Sequence, residues 1–180
     1  MSRFDLPRWR PAWIALAVAA ALPLLVASWF QHVDGLDPCV MCIYERVALF
    51  GLVGAGLLGA MAPRRVLVRA PAYVLWGISA AWGLDLVRRH VGMERDPQLA
   101  MSCSFAAEFP SWLPLDVWLP AMFLPTGYCD DVQWRWLGLS MAEWAGVIFA
   151  LFLLALLAVL AYEIRRLKRG RAGLDGFPPG

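Results

Sequence analysis

Four long apolar stretches divide the chain: Trp13–Phe30, Val47–Ala62, Pro71–Val87 and Trp144–Tyr162. The first, third and fourth reach the roughly 17–20 residues that carry a helix across about 30 Å of hydrocarbon. The second is slightly short and is completed by the turn in front of it. None has the polar face that a helix on a soluble core requires. The pattern predicts an all-α membrane protein, a four-transmembrane-helix bundle forming a single membrane domain over residues 1–180, with spans at 13–30, 47–63, 71–88 and 144–162. In the second span Gly51, Ala55 and Gly59 recur every four residues, a spacing that lets a neighbouring helix approach closely.

Charge sorts the polar segments between the spans. Arg3, Arg8 and Arg10 precede the first, Arg64, Arg65 and Arg69 separate the second and third, and Arg165, Arg166, Lys168, Arg169 and Arg171 follow the fourth. These are eleven of the sixteen Lys and Arg residues, and the positive-inside rule makes that side cytoplasmic: residues 1–12, 64–70 and 163–180. The opposite segments, 31–46 and 89–143, are rich in Asp, Glu and Trp and are expected on the periplasmic side of a bacterial inner membrane. Both termini are then cytoplasmic. A composition of 61% hydrophobic and 17% charged residues excludes an ordinary soluble domain, and the net charge of +2 reports topology rather than nucleic-acid binding. The first span has the basic flank of a signal peptide, but its run is too long for an h-region and reads as a signal anchor. The tail Gly170–Gly180 is Gly/Pro-rich and is expected to be disordered.

The second outer loop is long, about 55 residues with five prolines. Its middle, Trp112–Pro120, is too short and too broken by proline to span; two tryptophans suit a short helix lying in the lipid interface. The loop reads as a mobile arm on a short tether. Ser140-Met141-Ala142-Glu143 has capping-box spacing ahead of the fourth span, which gives Glu143 a structural role.

All four cysteines, Cys39, Cys42, Cys103 and Cys129, fall in the two outer loops or at their edge, where an oxidising compartment lets disulfides persist. One pair per loop is the expected pairing, though four cysteines permit three connectivities. In Pro38-Cys39-Val40-Met41-Cys42-Ile43-Tyr44-Glu45-Arg46, Asp37 and Pro38 look like the N-cap and first position of a helix. That places the pair at a positive helix end, with Arg46 on the same face as Cys42, two features that favour a reactive thiolate.

Zinc would want a second close pair or suitably spaced His, and covalent haem a His where Ile43 stands. No metal is therefore expected. A structural disulfide across three residues closes too small a loop to stabilise much, so a redox centre is favoured. Cys103–Cys129 as a plain staple would be worth roughly 3–4 kcal/mol. A second pair on the same face makes thiol–disulfide exchange its rival. Arg46 either snorkels to headgroups or supports the thiolate and an electron-rich partner. Glu45 is expected to cap or face water, and Asp85 to reach the interface. His32 and His90 lie near the outer span ends; either could move protons or bind a cofactor, and incidental placement is the plainer reading.

At these residues the chain resembles the DsbB family of bacterial inner-membrane thiol oxidases. The likeness rests on Trp29-Phe30-Gln31-His32-Val33, the run Pro38 to Gly51, Phe109 to Asp116 with Trp118 and Pro120, and Gln133-Trp134 with Leu137-Gly138-Leu139. It implies a quinone-dependent protein-thiol oxidoreductase that reoxidises a periplasmic DsbA-like partner and feeds the membrane quinone pool, ubiquinone or menaquinone. The resemblance implies that the partner attacks Cys103–Cys129 at Cys103, that Cys129 exchanges with Cys39, and that Cys42 donates to quinone beside Arg46. It gives His90 a place near the quinone only weakly, since Arg88 to Asp96 is less family-like. Two alternatives stand: a paralogous oxidase for a dedicated DsbA-like partner, and a non-enzymatic membrane protein with structural disulfides.

Overall fold

The computed structural model describes residues 6–174. Four helices are long and apolar enough to cross a membrane: α1 (Arg10–His32), α2 (Val40–Met61), α3 (Val66–Arg95) and the last helix, α7 (Met141–Leu174), whose candidate span lies within Met141–Arg169. Between α3 and α7 come three single-turn helices, α4 (Pro97–Ala100), α5 (Leu115–Trp118) and α6 (Pro120–Phe123), and a two-stranded hairpin. Hydrocarbon offers the backbone no partner, so apolar segments of this length satisfy their own peptide groups as helices. The chain is a four-helix membrane bundle.

The helices pack in chain order, α1 on α2, α2 on α3 and α3 on α7. Trp13, Leu52, Trp76 and Phe149 anchor the buried centre. Apolar side chains on the outer faces of α1 and α7, such as Leu22, Leu25, Leu151 and Leu154, are exposed, as lipid-facing residues would be. The small residues of α2 do not form one seam. A Cβ on Gly51 would strike Ser79 of α3, whereas one on Gly59 would strike the Trp13 ring of α1. Steps of four residues drift about 40° around a helix of 3.6 residues per turn, so the run rotates from one neighbour to the other.

The helices outrun the apolar stretches. α3 continues through the charged segment to Arg95, α2 begins seven residues before Val47, and α7 begins at Met141 and runs on through Leu174. Residues 170–174, expected to be disordered, are therefore helical, and 175–180 lie outside the described residues. At the start of α7 the capping box forms: Ser140 N–H donates to Glu143 Oε2 (2.9 Å) and Glu143 N–H to Ser140 Oγ (3.2 Å). Ser140 Oγ also donates to Glu94 Oε2 at 2.7 Å, and Arg95 pairs with Glu143, so the outer ends of α3 and α7 are tied together.

The hairpin, β1 (Arg135–Trp136) and β2 (Leu139–Ser140), is a small β element in a chain read as all-α. Its strands pair Arg135 with Ser140 and Trp136 with Leu139. Leu137 and Gly138 between them both have positive φ, 51° and 82°, as a two-residue type I′ connection demands. Within the segment expected to lie flat in the interface, α5 is a single turn and α6 begins at Pro120; Trp112 before α5 and Val117 and Trp118 in it are exposed.

Candidate redox site

The site is built on the first turns of α2. Cys39 is the N-cap residue itself, with extended backbone (φ −78°, ψ 170°), and its Sγ accepts the Cys42 N–H at 3.3 Å. Asp37 was the expected cap, but it is engaged by the long loop. Its carboxylate accepts from Thr126 Oγ1 (2.9 Å) and its N–H donates to Gln133 Oε1 (2.8 Å). Pro38 precedes the helix and its carbonyl accepts from Thr126 and Gly127 N–H at 2.9 and 3.1 Å. Tertiary pairing with the loop thus delays the helix start by two residues and sets the cysteines in its first turn.

Cys39 Sγ and Cys42 Sγ are unbonded and 3.1 Å apart, Cys39 buried and Cys42 half-buried. His90, near the outer end of α3, places Nε2 3.4 Å from Cys39 Sγ and Nδ1 2.9 Å from Glu45 Oε1. Glu45 therefore neither caps nor faces water: it is 7% exposed and paired across the α2–α3 interface. Positions 39, 42, 45 and 46 fall on one helical face, so the residue beside the second cysteine's turn is carried inward with it. A carboxylate on the inner face of a membrane helix needs a partner, and that requirement was a signal for His90.

Arg46 is 5% exposed, and its hydrogen bonds run to protein acceptors rather than to lipid headgroups. Its Nη1 donates to Gln31 Oε1 (2.6 Å) and Met122 O (2.8 Å), and Nη2 to Ala27 O (3.3 Å). Gln31 Nε2 in turn donates to Ala121 O at 3.1 Å. One guanidinium thereby joins the last turns of α1, the first turns of α2 and the chain at α6. Sequence reading gave Gln31, the penultimate residue of α1, no role beyond its place in the run Trp29 to Val33.

A cavity of about 410 Å³ opens beside these groups. Cys39, Cys42, Glu45, Arg46 and His90 line one wall; α1 and α7 supply apolar side chains such as Val26, Phe30 and Ile148. Asp85 and His32 do not line it. Asp85 pairs with Arg89 at 2.7 Å on the exposed surface of α3, and His32 is exposed at the end of α1.

Cys103 and Cys129 form a disulfide, with Cα atoms 6.2 Å apart. Cys129 is 1% exposed and packs in one cluster with Cys39, Val40 and Met93, while Cys103 is half-buried at its edge. The chain on the Cys129 side is pinned to the start of α2 through Thr126, Gly127 and Gln133. Residues 101–107 hydrogen-bond only within four positions of themselves, among the described residues. The two sides of this disulfide are held differently.

As for ligands, Cys39 Sγ, Cys42 Sγ and a His90 nitrogen lie within 4.8 Å of one another. Three donors are one short of a closed structural zinc site.

Comparison with known proteins identifies this arrangement. The family model for "Disulfide bond formation protein DsbB" matches residues 9–159. The chain belongs to the DsbB family. Among curated DsbB relatives, disulfide bond formation protein B of Shewanella amazonensis is 52% identical over 144 residues, 80% of this chain and 85% of that protein. Those of Aeromonas hydrophila and Psychromonas ingrahamii are 49% and 47% identical, covering 80% and 81% of this chain and 83% and 77% of theirs. Forming a disulfide removes two electrons from a pair of thiols, so DsbB membership makes this chain an oxidoreductase of disulfide bond formation.

Proposed function

We propose that the chain is a quinone-dependent thiol oxidase of the bacterial inner membrane, which reoxidises a periplasmic DsbA-like disulfide donor. One observation carries this reading: Cys129 of the loop disulfide is buried in the same cluster as Cys39, whose neighbour Cys42 lines an apolar cavity with Arg46. Two pairs that can meet, one reaching water and one reaching lipid, are what a relay between a soluble thiol and a lipid-borne oxidant requires.

The reduced partner's thiolate attacks Cys103 Sγ, forming a mixed disulfide and releasing Cys129 as a thiolate. The partner's second thiolate displaces Cys103, and the partner leaves oxidised with two electrons now on this chain. Cys129 returns the pair's oxidation state by exchange with a Cys39–Cys42 disulfide: Cys129 Sγ bonds to Cys39 Sγ and Cys42 leaves as a thiolate. Cys103 then attacks Cys129, restoring the loop disulfide and leaving Cys39 and Cys42 both reduced. Half-buried Cys103 is the accessible end for a protein partner, and Cys129 the end already seated against Cys39.

The donor set suits a quinone head: apolar walls for the ring, and a guanidinium and an imidazole beside a thiol at one edge. A quinone held there supplies a two-electron acceptor. Cys42 presents its sulfur to the cavity, Arg46 supplies positive charge on the same wall, and His90 with Glu45 can hold or move a proton at Cys39 Sγ. Ubiquinone and menaquinone both satisfy this description. Basic termini on the cytoplasmic side and cysteines on the periplasmic side complete the topology, with Trp112–Pro120 resting in the lipid interface.

The test mixes the purified chain, quinone and a reduced DsbA-like protein and follows quinone absorbance. Oxidised quinone should disappear in step with partner thiols. No loss, or undiminished activity in Cys42→Ser, defeats the proposal.

A further inference from the structure

At the opposite end of the bundle from the cysteines, a second cavity of about 410 Å³ lies between the start of α1 and the α2–α3 turn. Four arginines line it, Arg8 and Arg10 from one segment and Arg64 and Arg65 from the other, and all four are exposed. Among the described residues no carboxylate pairs with any of them. Arg69 nearby is different: it is buried, donates to Pro63 O and pairs with Glu163 at 3.1 Å. The cavity thus collects four positive charges, from segments more than fifty residues apart, with no internal counterion among the described residues.

Two further features reinforce that charge. α1 starts at Arg10 and α3 at Val66, beside the same cavity, and neither N-cap residue supplies a side-chain hydrogen bond. The positive ends of both helix dipoles therefore lie beside the arginines, even though the Ala12 and Val68 N–H groups are taken by Trp9 O and Arg65 O. The rim is apolar. Met61, on the cavity wall, is 73% exposed, and Ile14 and Leu57 on the adjoining turns of α1 and α2 are exposed as well.

We infer that this cavity is a binding site for the phosphate headgroup of one anionic phospholipid. The guanidinium groups and helix ends take the phosphate, and the acyl chains run along the exposed apolar side chains of α1 and α2. A free phosphate would use the arginines but has no use for the rim, and the position at a span boundary puts the arginines at headgroup depth. The bound lipid bridges α1 to the α2–α3 turn. This inference does not depend on the redox reading, and its test measures lipid rather than electron transfer.

The test is native mass spectrometry of the full chain released from detergent with equimolar phosphatidylglycerol and phosphatidylcholine. One phosphatidylglycerol per chain should be retained in preference to phosphatidylcholine. Arg64→Gln/Arg65→Gln and, from the other wall, Arg8→Gln/Arg10→Gln should each weaken retention about 30-fold, while Arg64→Lys/Arg65→Lys retains it. Lys168→Gln/Arg169→Gln removes equal charge from exposed turns of α7 and should leave retention unchanged. Equal loss in that control means bulk charge alone and overturns the site. Displacement by millimolar inorganic phosphate or glycerol 3-phosphate makes it a soluble-anion site and overturns the lipid assignment, as does equal retention of phosphatidylcholine.

Discussion

His90 Nε2 lies 3.4 Å from Cys39 Sγ while the other ring nitrogen is held by Glu45 at 2.9 Å. A carboxylate on one side of an imidazole fixes its orientation, and the free edge is thereby aimed at the sulfur proposed above to exchange with the loop pair. Removing the ring should slow exchange at Cys39. His90→Ala should cut quinone-coupled turnover about ten- to hundredfold, the loss of one hydrogen bond to a charged group, and leave reduction of Cys103–Cys129 by the partner unchanged. Stopped-flow traces of the two steps separate them; equal slowing of both would show that His90 only supports the fold.

Burial of Cys129 beside Cys39 predicts which cross-loop bond forms. In Cys42→Ala/Cys103→Ala, the two remaining thiols treated with diamide should join as Cys39–Cys129, read by non-reducing peptide mapping. Recovery of both as free thiols or as intermolecular dimers would contradict the packing.

Arg46 holds three acceptors on two other segments. Arg46→Lys keeps the charge but not the planar fork that reaches them. Opening of the chain around Met122 should rise about ten- to hundredfold, measured as amide hydrogen exchange over residues 119–124. Unchanged exchange there would mean that the guanidinium does not anchor the loop.

The helix contacts can be tested without touching the cysteines. A Cβ on Gly59 would strike the Trp13 ring, whereas one on Gly54 would lie 3.7 Å from Leu75. Gly59→Ala should destabilise the bundle by about 1–3 kcal/mol through overpacking. Gly54→Ala, with ordinary contacts, should not. Thermal unfolding in detergent compares the two.

The four spans, the gathering of arginines at one end and the close cysteine pair at a helix start are written in local sequence. Each depends on a run of side-chain chemistry that hydrocarbon, charge or a helix turn reads directly: Trp144–Tyr162 can only be a span, and Cys39 and Cys42 can only be neighbours. The capping box at Ser140 and Glu143 is local too, and it formed as its spacing required. What local pattern could not supply were the partners. Asp37 yielded the N-cap to Cys39 because Thr126 and Gln133, about ninety residues away, bind it. Glu45 turned inward because His90 waits on α3, beyond the apolar stretch that marked that helix in the sequence. Arg46 found Gln31 and Met122 for the same reason. A buried polar group must be satisfied, but sequence states only the demand; which residue meets it is decided when helices pack and the loop folds back across their ends.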